Sequence, residues 1–130
     1  MMSDRRGKSA IGKRGEEIAC NYLMENGHTV IDRNWRSGHL EIDIVSLYKD
    51  GMHFVEVKSR TAPYQAEPEE NVDYAKQKRI TSAAQKYLLT KALKSGIGDV
   101  EVFFDIVTVV FDGGQTEVKY FPQAYVPMYY

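Results

Sequence analysis

The sequence predicts a single α/β or α+β domain in which helices pack on one mixed sheet. Two stretches have helical periodicity, five short stretches are rich in β-branched and aromatic residues, and their order is α-β-β-β-α-β-β. At 130 residues the chain is long enough to form one core of its own. Because no repeat or linker interrupts it, we expect one domain over residues 1–130, with a core of about 10–121 and an irregular tail, 122–130.

The first predicted helix, "KSAIGKRGEEIACNYLMENG", ends at Gly27, because glycine is a natural residue for capping a helix C-terminus. On a helical wheel Glu16 falls beside the apolar stripe that contains Cys20 and Leu23, whereas Glu17 points further towards solvent. Glu16 is therefore the better candidate to reach the sheet.

The second helix, "VDYAKQKRITSAAQKYLLTKAL", gives the strongest helical signal, with Asn71 or Asp73 as its expected N-cap. Lys76 lies in its first turns, on the same stripe as Ile80 and the other apolar residues that should face the sheet. A lysine there meets either an anion in the fold or, as an alternative, snorkels to solvent at the helix end.

Short polar segments separate the first three predicted strands from one another and the last two from each other, and among these segments "KDG" and "DGG" are turn signals. The last strand is expected at the sheet edge. The predicted strands are "HTVIDRNW", "LEIDIVSLY", "MHFVEVKSR", "VEVFFDIVTVVF" and "QTEVKYF".

Acidic and basic side chains alternate with apolar ones in the second and third strands. This alternation places Asp43 on one face of its strand, with Ile42 and Ile44 on the other face, and it places Glu56 with Lys58 on one face of the next strand. A hairpin with a four-residue loop, 48–51, would pair Asp43 with Glu56, and a two-residue loop, 50–51, would pair Asp43 with Lys58. Either register brings the three charged residues to the same face of the sheet.

Adjacent carboxylates repel each other, and a divalent cation removes that repulsion. Mg²⁺ prefers oxygen ligands, and a nearby lysine can activate the attacking water or neutralise charge on a phosphate. Asp43, Glu56 and Lys58 could therefore support metal-assisted hydrolysis of a phosphodiester. The competing interpretation is an amphipathic sheet with one solvated face, where the same residues are ordinary surface charges.

Basic residues concentrate near these elements, although the formal net charge of the whole chain is only -1. Such local positive charge can follow a phosphate backbone. Trp35, among them, could stack on a base, but a core position is the favoured interpretation. The clustered residues are Arg5, Arg6, Lys8, Lys13, Arg14, Arg33, Arg36, Lys58, Arg60, Lys76, Lys78 and Arg79.

Composition excludes several other classes of protein. The one cysteine, Cys20, rules out an intrachain disulfide and fits a reducing compartment. No apolar run is long enough to span a bilayer, and the N-terminus does not read as a secretory signal, so we expect a cytoplasmic protein without a membrane partner. His28, His39 and His53 have no zinc-like spacing with the cysteine.

Five ordered stretches resemble a known family: "GEEIACNYL", "NWRSGHLEIDIV", "FVEVKSR", "VDYAKQKRI" and "FFDIVTV". The "EID" and "EVK" segments resemble the PD-(D/E)xK signature of restriction-endonuclease-like nucleases. The whole set resembles the YraN-like family of small bacterial proteins, over about residues 12–110, and is also similar to archaeal Holliday junction resolvases. The resemblance implies a restriction-endonuclease-like core, a mixed five-stranded sheet flanked by helices.

The resemblance also implies roles for individual residues. Asp43 and Glu56 would bind the metal, Mg²⁺ or Mn²⁺, Lys58 would assist the nucleophilic water, and Glu16 would be a further acidic residue of the catalytic site. Asp105 in "FFDIV" matches a family acid; from the sequence alone it is an unusual polar residue in a core strand, facing a basic side chain. The expected nucleic-acid-binding residues, drawn from the basic cluster and the helix-start lysine, are Lys76, Arg36, Arg60, Lys13 and Arg79.

We therefore expect a metal-dependent endonuclease that acts on nucleic acid, with DNA, including branched DNA, as the favoured substrate. The alternative is a non-catalytic nucleic-acid-binding protein of the same fold that acts with a partner nuclease. The tyrosines Tyr125, Tyr129 and Tyr130 should cover the core, with a homodimer contact as the second interpretation. A two-fold dimer would suit a junction substrate.

Overall fold

The computed structural model describes residues 9–63, 74–92 and 100–125. The elements follow the predicted order, with both helices preceding strands. They are α1 (Ala10–Glu25), β1 (Thr29–Ser37), β2 (Leu40–Tyr48), β3 (Gly51–Thr61), α2 (Tyr74–Tyr87), β4 (Val102–Asp112) and β5 (Gln115–Phe121), with a π-helical turn at Leu88–Ala92 after α2. The expected caps Asn71 and Asp73 lie outside the described residues.

The five strands form one sheet in the order β1-β2-β3-β4-β5, so β5 is an edge strand as predicted. All neighbouring pairs are antiparallel except β3 and β4, which are parallel because the chain between them crosses over through α2. The mixed five-stranded sheet flanked by helices confirms the predicted restriction-endonuclease-like core.

The two faces of the sheet carry separate hydrophobic cores. On one face α2 packs over Phe54 and Ile106, and on the other α1 packs over Val55 and Val107. The predicted core positions of Trp35 and Tyr125 are confirmed, since both pack against the α2-side core. Tyr129 and Tyr130 lie outside the described residues.

Helix α1 ends as its sequence predicts and approaches the sheet closely. Gly27 has a φ of 95°, a left-handed conformation that glycine adopts without strain, and the His28 N–H donates to the Leu23 carbonyl over 2.9 Å. Near the other end of α1, a Cβ added to Gly15 would lie 1.8 Å from the Ser59 Oγ of β3. A side chain at this position would therefore force Ser59 or the helix to move.

The β2–β3 hairpin has the register that brings Asp43 towards Glu56. Tyr48 pairs with Gly51, and the ladder continues to the pair of Ile44 and Val55, where regular pairing ends. Beyond that point the prediction that side chains alternate strictly between the two faces is wrong. Ile42 and Val45 are three residues apart and should face opposite sides, but both pack in the α2-side core. The strand leaves its partner there and changes the direction of its side chains.

No helix within residues 9–63, 74–92 and 100–125 combines the length and the apolar character needed to cross a lipid bilayer.

Candidate active site

A pocket of about 320 Å³ lies between the first turns of α2 and the strands β2 and β3. Its wall combines acidic and basic side chains with a few apolar ones. The acidic residues are Glu41, Asp43 and Glu56, and the basic ones are His39, Lys76 and Arg79. Two strands and one helix therefore contribute charges of opposite sign to one concave surface.

Asp43 stands where β2 and β3 separate. Its Oδ2 accepts a hydrogen bond from the Val57 backbone N–H over 2.9 Å, so the carboxylate takes the place of a β2 backbone carbonyl as the acceptor for this β3 donor. The side chain is nearly buried and reaches across the gap between the strands. This placement explains why Asp43 comes close to Glu56 although the two residues are not paired in the ladder.

Glu56 forms the closest ion pair of the pocket. Lys76 Nζ lies 2.6 Å from Glu56 Oε2, a charge-assisted hydrogen bond between β3 and α2. Burial raises the pKa of Glu56, the Asp43 carboxylate raises it further, and Lys76 and Lys58 offset part of the rise. The two carboxylates thus repel each other, and lysine side chains supply the compensating charge.

Lys58 is buried behind this ion pair, with 6% of its surface exposed. The pKa of Lys58 is lowered to about 8, because burial and the neighbouring Lys76 ammonium outweigh the attraction of the Glu56 carboxylate. For Lys76, burial lowers the pKa but the attraction of Glu56 outweighs it, so the net shift is upward. The structure therefore brings together Asp43, Glu56, Lys58 and Lys76, as the sequence predicts.

The other predicted residues are less closely grouped. Glu16 is buried as the helical wheel predicts, but it reaches the sheet from the α1 face and does not line the pocket. Arg36 lies beside the pocket, with its Nη2 3.3 Å from Glu41 Oε2, and Arg60 is near enough to lower the pKa of Lys58. Lys13 is exposed on α1, and its predicted contact with nucleic acid stays a prediction.

The donor set suits a hard divalent cation. Asp43 and Glu56 offer carboxylate oxygens, and Mg²⁺ commonly uses one or two carboxylates together with substrate phosphate and water. Across the described part of the chain, no three His, Cys, Asp or Glu side chains gather closely enough to enclose a metal ion. The residues present therefore fit an open Mg²⁺ site that the substrate completes, and do not fit a closed structural site.

Two residues that were not among the predicted site residues also line the pocket. His39 is exposed at the pocket wall, and Glu41 lies there beside Arg36. Both residues lie within four positions of Asp43, and this closeness in the sequence is the signal that could have identified them.

The chain is similar over most of its length to a known family of proteins. A family model described as "Uncharacterised protein family UPF0102" matches residues 15–109. A UPF0102 protein of Bacteroides thetaiotaomicron is 40% identical over 117 residues, which cover 90% of this chain and 93% of that relative. A UPF0102 protein of Anaeromyxobacter dehalogenans is 38% identical over 124 residues, 94% of this chain and 88% of the relative.

Among solved structures, SfsA of Pyrococcus furiosus in complex with Ca²⁺ aligns with 86% of this chain at 17% sequence identity and a TM-score of 0.41. The alignment spans 64% of the SfsA chain, less than two thirds of its length. The chain belongs to the uncharacterised protein family UPF0102, the YraN-like family of the restriction-endonuclease-like superfamily.

Proposed function

We propose that this protein is a metal-dependent endonuclease that hydrolyses phosphodiester bonds in nucleic acid, with DNA as the favoured substrate. The observation that carries the proposal is the convergence of Asp43 and Glu56, from adjacent strands, on a pocket that Lys76 and Arg79 also line. A pocket of mixed charge can hold a cation and the phosphate it activates at the same time.

In this mechanism Asp43 and Glu56 would hold Mg²⁺ or Mn²⁺, which when bound polarises the phosphate and lowers the pKa of a coordinated water. Lys58 would orient the attacking water beside the carboxylates, from a buried position that keeps its side chain in one place. Lys76 and Arg79 would contact the non-bridging phosphate oxygens. Arg36 and Arg60 would extend the positive surface along the nucleic-acid backbone.

A second candidate is favoured by one specific contact. Lys76 Nζ is only 2.6 Å from Glu56 Oε2, so an ammonium of the protein already neutralises the charge of the carboxylate that would otherwise bind a metal ion. A protein that kept this pair closed would bind nucleic acid through its basic residues without cutting it, and would act beside a partner nuclease.

A cleavage panel separates the two candidates. Labelled single strands, duplexes, flaps, four-way junctions and structured RNA would be incubated with Mg²⁺ or Mn²⁺, with wild type beside Asp43→Asn and Lys58→Met. Asparagine is the better substitution at 43, because its Oδ1 can still accept the Val57 N–H and keep the strands in place. Asp112→Asn and Lys86→Met, at exposed positions outside the pocket, are the matched controls.

If the protein is a nuclease, wild type and both controls cut one substrate, and Asp43→Asn and Lys58→Met lose at least about 100-fold in rate, as expected for loss of a group that acts in the transition state. Binding of the same substrate that survives both substitutions, without cleavage by any variant, would favour the non-catalytic candidate. Sedimentation of the complex would show whether a homodimer forms on a junction.

A further inference from the structure

A second group of polar side chains lies on the α1 face of the sheet. The His53 Nδ1 is 2.5 Å from Asp105 Oδ2, and its Nε2 is 2.8 Å from Asp50 Oδ1. Because carboxylates only accept hydrogen bonds, both ring nitrogens donate and the ring is an imidazolium. Burial lowers the pKa of His53, but the hydrogen bonds to Asp105 and Asp50 outweigh that effect and raise it.

A chain of hydrogen bonds holds Asp50 in place from the interior. The Tyr120 hydroxyl donates to Asp105 Oδ2 over 2.6 Å, and the Gln123 backbone N–H donates to Asp105 Oδ1 over 2.9 Å. Asp105 thus fixes His53, and His53 fixes Asp50, whose side chain is 48% exposed at the outer end. Within the described part of the chain, the second oxygen of Asp50, Oδ2, has no hydrogen-bond partner.

Asp50 opens into an aromatic pocket of about 300 Å³, whose wall includes Tyr22, Tyr48, Tyr120 and His28. The Tyr48 ring stacks on His28 with centroids 4.7 Å apart and an angle of 16°, and Tyr120 meets Tyr22 edge to face at 6.1 Å. Small-molecule sites span roughly 300–1,000 Å³, so this pocket has room for one fused ring system.

We propose that the aromatic pocket binds a nucleobase and that Asp50 selects guanine. Aromatic side chains stack on any base, since every base presents a π-face. Guanine is the standard base with two adjacent donors, N1–H and the 2-amino group, on its pairing edge, and a carboxylate accepts both. Asp50 can do so because Oδ2 is open and Oδ1 keeps a second lone pair beside the His53 hydrogen bond.

An organic ammonium ion is the other occupant that aromatic walls can attract. Two cations already present disfavour it. The His53 imidazolium lies in the pocket wall, and the Lys49 Nζ lies 5.5 Å from the centre of the Tyr48 ring. A neutral base that donates hydrogen bonds avoids repulsion from both charges. The inference does not rest on the proposed cleavage, because the pocket lies on the opposite face from Asp43 and Glu56.

The test is a titration of wild type with guanosine, inosine and adenosine in metal-free buffer, followed by calorimetry or NMR chemical shifts. Nucleosides are used because a phosphate group would also bind at Lys76 and Arg79. We expect guanosine to bind about ten-fold or more tightly than adenosine, as one bidentate pair discriminates between bases, with inosine intermediate because it lacks the 2-amino donor.

Asp50→Asn should abolish the preference for guanosine while keeping an acceptor for His53, and Asp112→Asn should behave as wild type. Tyr48→Leu should weaken all three nucleosides about ten-fold through lost stacking. If that variant does not fold, the Asp50→Asn result still decides. The proposal is overturned if no nucleoside binds, if choline binds more tightly than guanosine, or if Asp50→Asn keeps the guanosine preference.

Discussion

Replacing Lys76 with methionine removes the ammonium that neutralises Glu56 and leaves its carboxylate beside Asp43. A fully buried ion pair loses about 3–5 kcal/mol when one partner is removed, and an exposed pair loses about 0.2–1 kcal/mol. The exposed fractions here, 13% for the Glu56 side chain and 34% for Lys76, lie between those limits. Lys58 partly replaces the lost charge once the neighbouring ammonium is gone. We therefore expect a loss of about 1–2 kcal/mol in the free energy of unfolding at pH 7.

For a domain of this size, such a loss corresponds to a decrease of roughly 3–8 °C in the melting temperature. Differential scanning calorimetry of metal-free wild type, Lys76→Met and Lys86→Met would measure it, because Lys86 is an exposed lysine on the same helix. If Asp43 and Glu56 hold a divalent cation, millimolar Mg²⁺ should raise the melting temperature of Lys76→Met more than that of wild type, since the cation no longer competes with the ammonium.

The reasoning would be refuted by equal melting temperatures of Lys76→Met and Lys86→Met in metal-free buffer. That result would mean that the 2.6 Å contact contributes nothing net to stability. A loss of stability that Mg²⁺ does not reverse would support the ion pair but count against the metal site.

Three further predictions concern parts of the fold around the two pockets. Gly15→Ala should destabilise the protein by about 1–2 kcal/mol, because the cost of the overlap between its Cβ and Ser59 exceeds the gain from alanine's higher helix propensity. In a double-mutant cycle measured by urea unfolding, Ser59→Ala should recover part of this loss. Gly51→Ala should lower the free energy of unfolding by about 2–4 kcal/mol in the same assay, since the position combines a φ of 147° with a Cβ that would lie 2.3 Å from a backbone carbonyl oxygen. Gly113→Ala should lower it by no more than about 2 kcal/mol, because a Cβ at Gly113 would lie in open space. The raised pKa of His53 implies a contribution to stability that is fully present below the pKa of the unfolded state, about 6.5, and is lost as pH rises through the higher pKa of the folded state. The difference in unfolding free energy between wild type and His53→Gln should therefore decrease from pH 6 to pH 9. A constant difference would show that the ring does not titrate with folding.

Much of the fold, and of the pocket that contains Asp43 and Glu56 (the carboxylate pocket), follows from periodicity in the sequence. The parity of the β2–β3 hairpin places Asp43 with Glu56, and the helical wheel of α2 places Lys76 on the stripe that faces the sheet. Both inferences need only local spacing, which the chain geometry preserves over one turn or one hairpin. The position of Ile42 was predicted wrongly, because alternation holds only while a strand keeps its ladder.

The aromatic pocket and its hydrogen-bonded interior were not predicted, and the reason is topological. His53 and Asp105 are 52 residues apart and meet only because β3 pairs with β4 in parallel, with Val55 opposite Asp105. The sequence predicts both strands, but no local spacing determines which residues pair when two strands are joined by a long crossover. Asp105 could be recognised as unusual in a core strand, but its partner could not be identified.

Strand β3 carries His53 towards one face of the sheet and Glu56 towards the other, only three positions apart. A deletion or insertion of a single residue between them would invert every side chain that follows, sending the carboxylate and Lys58 into the apolar layer under α1. Length variation among relatives should therefore collect in the segments that join the strands and be absent from this part of β3. Substitution can alter either pocket alone, but a change in length within these few residues would disrupt the carboxylate pocket together with the core beneath α1.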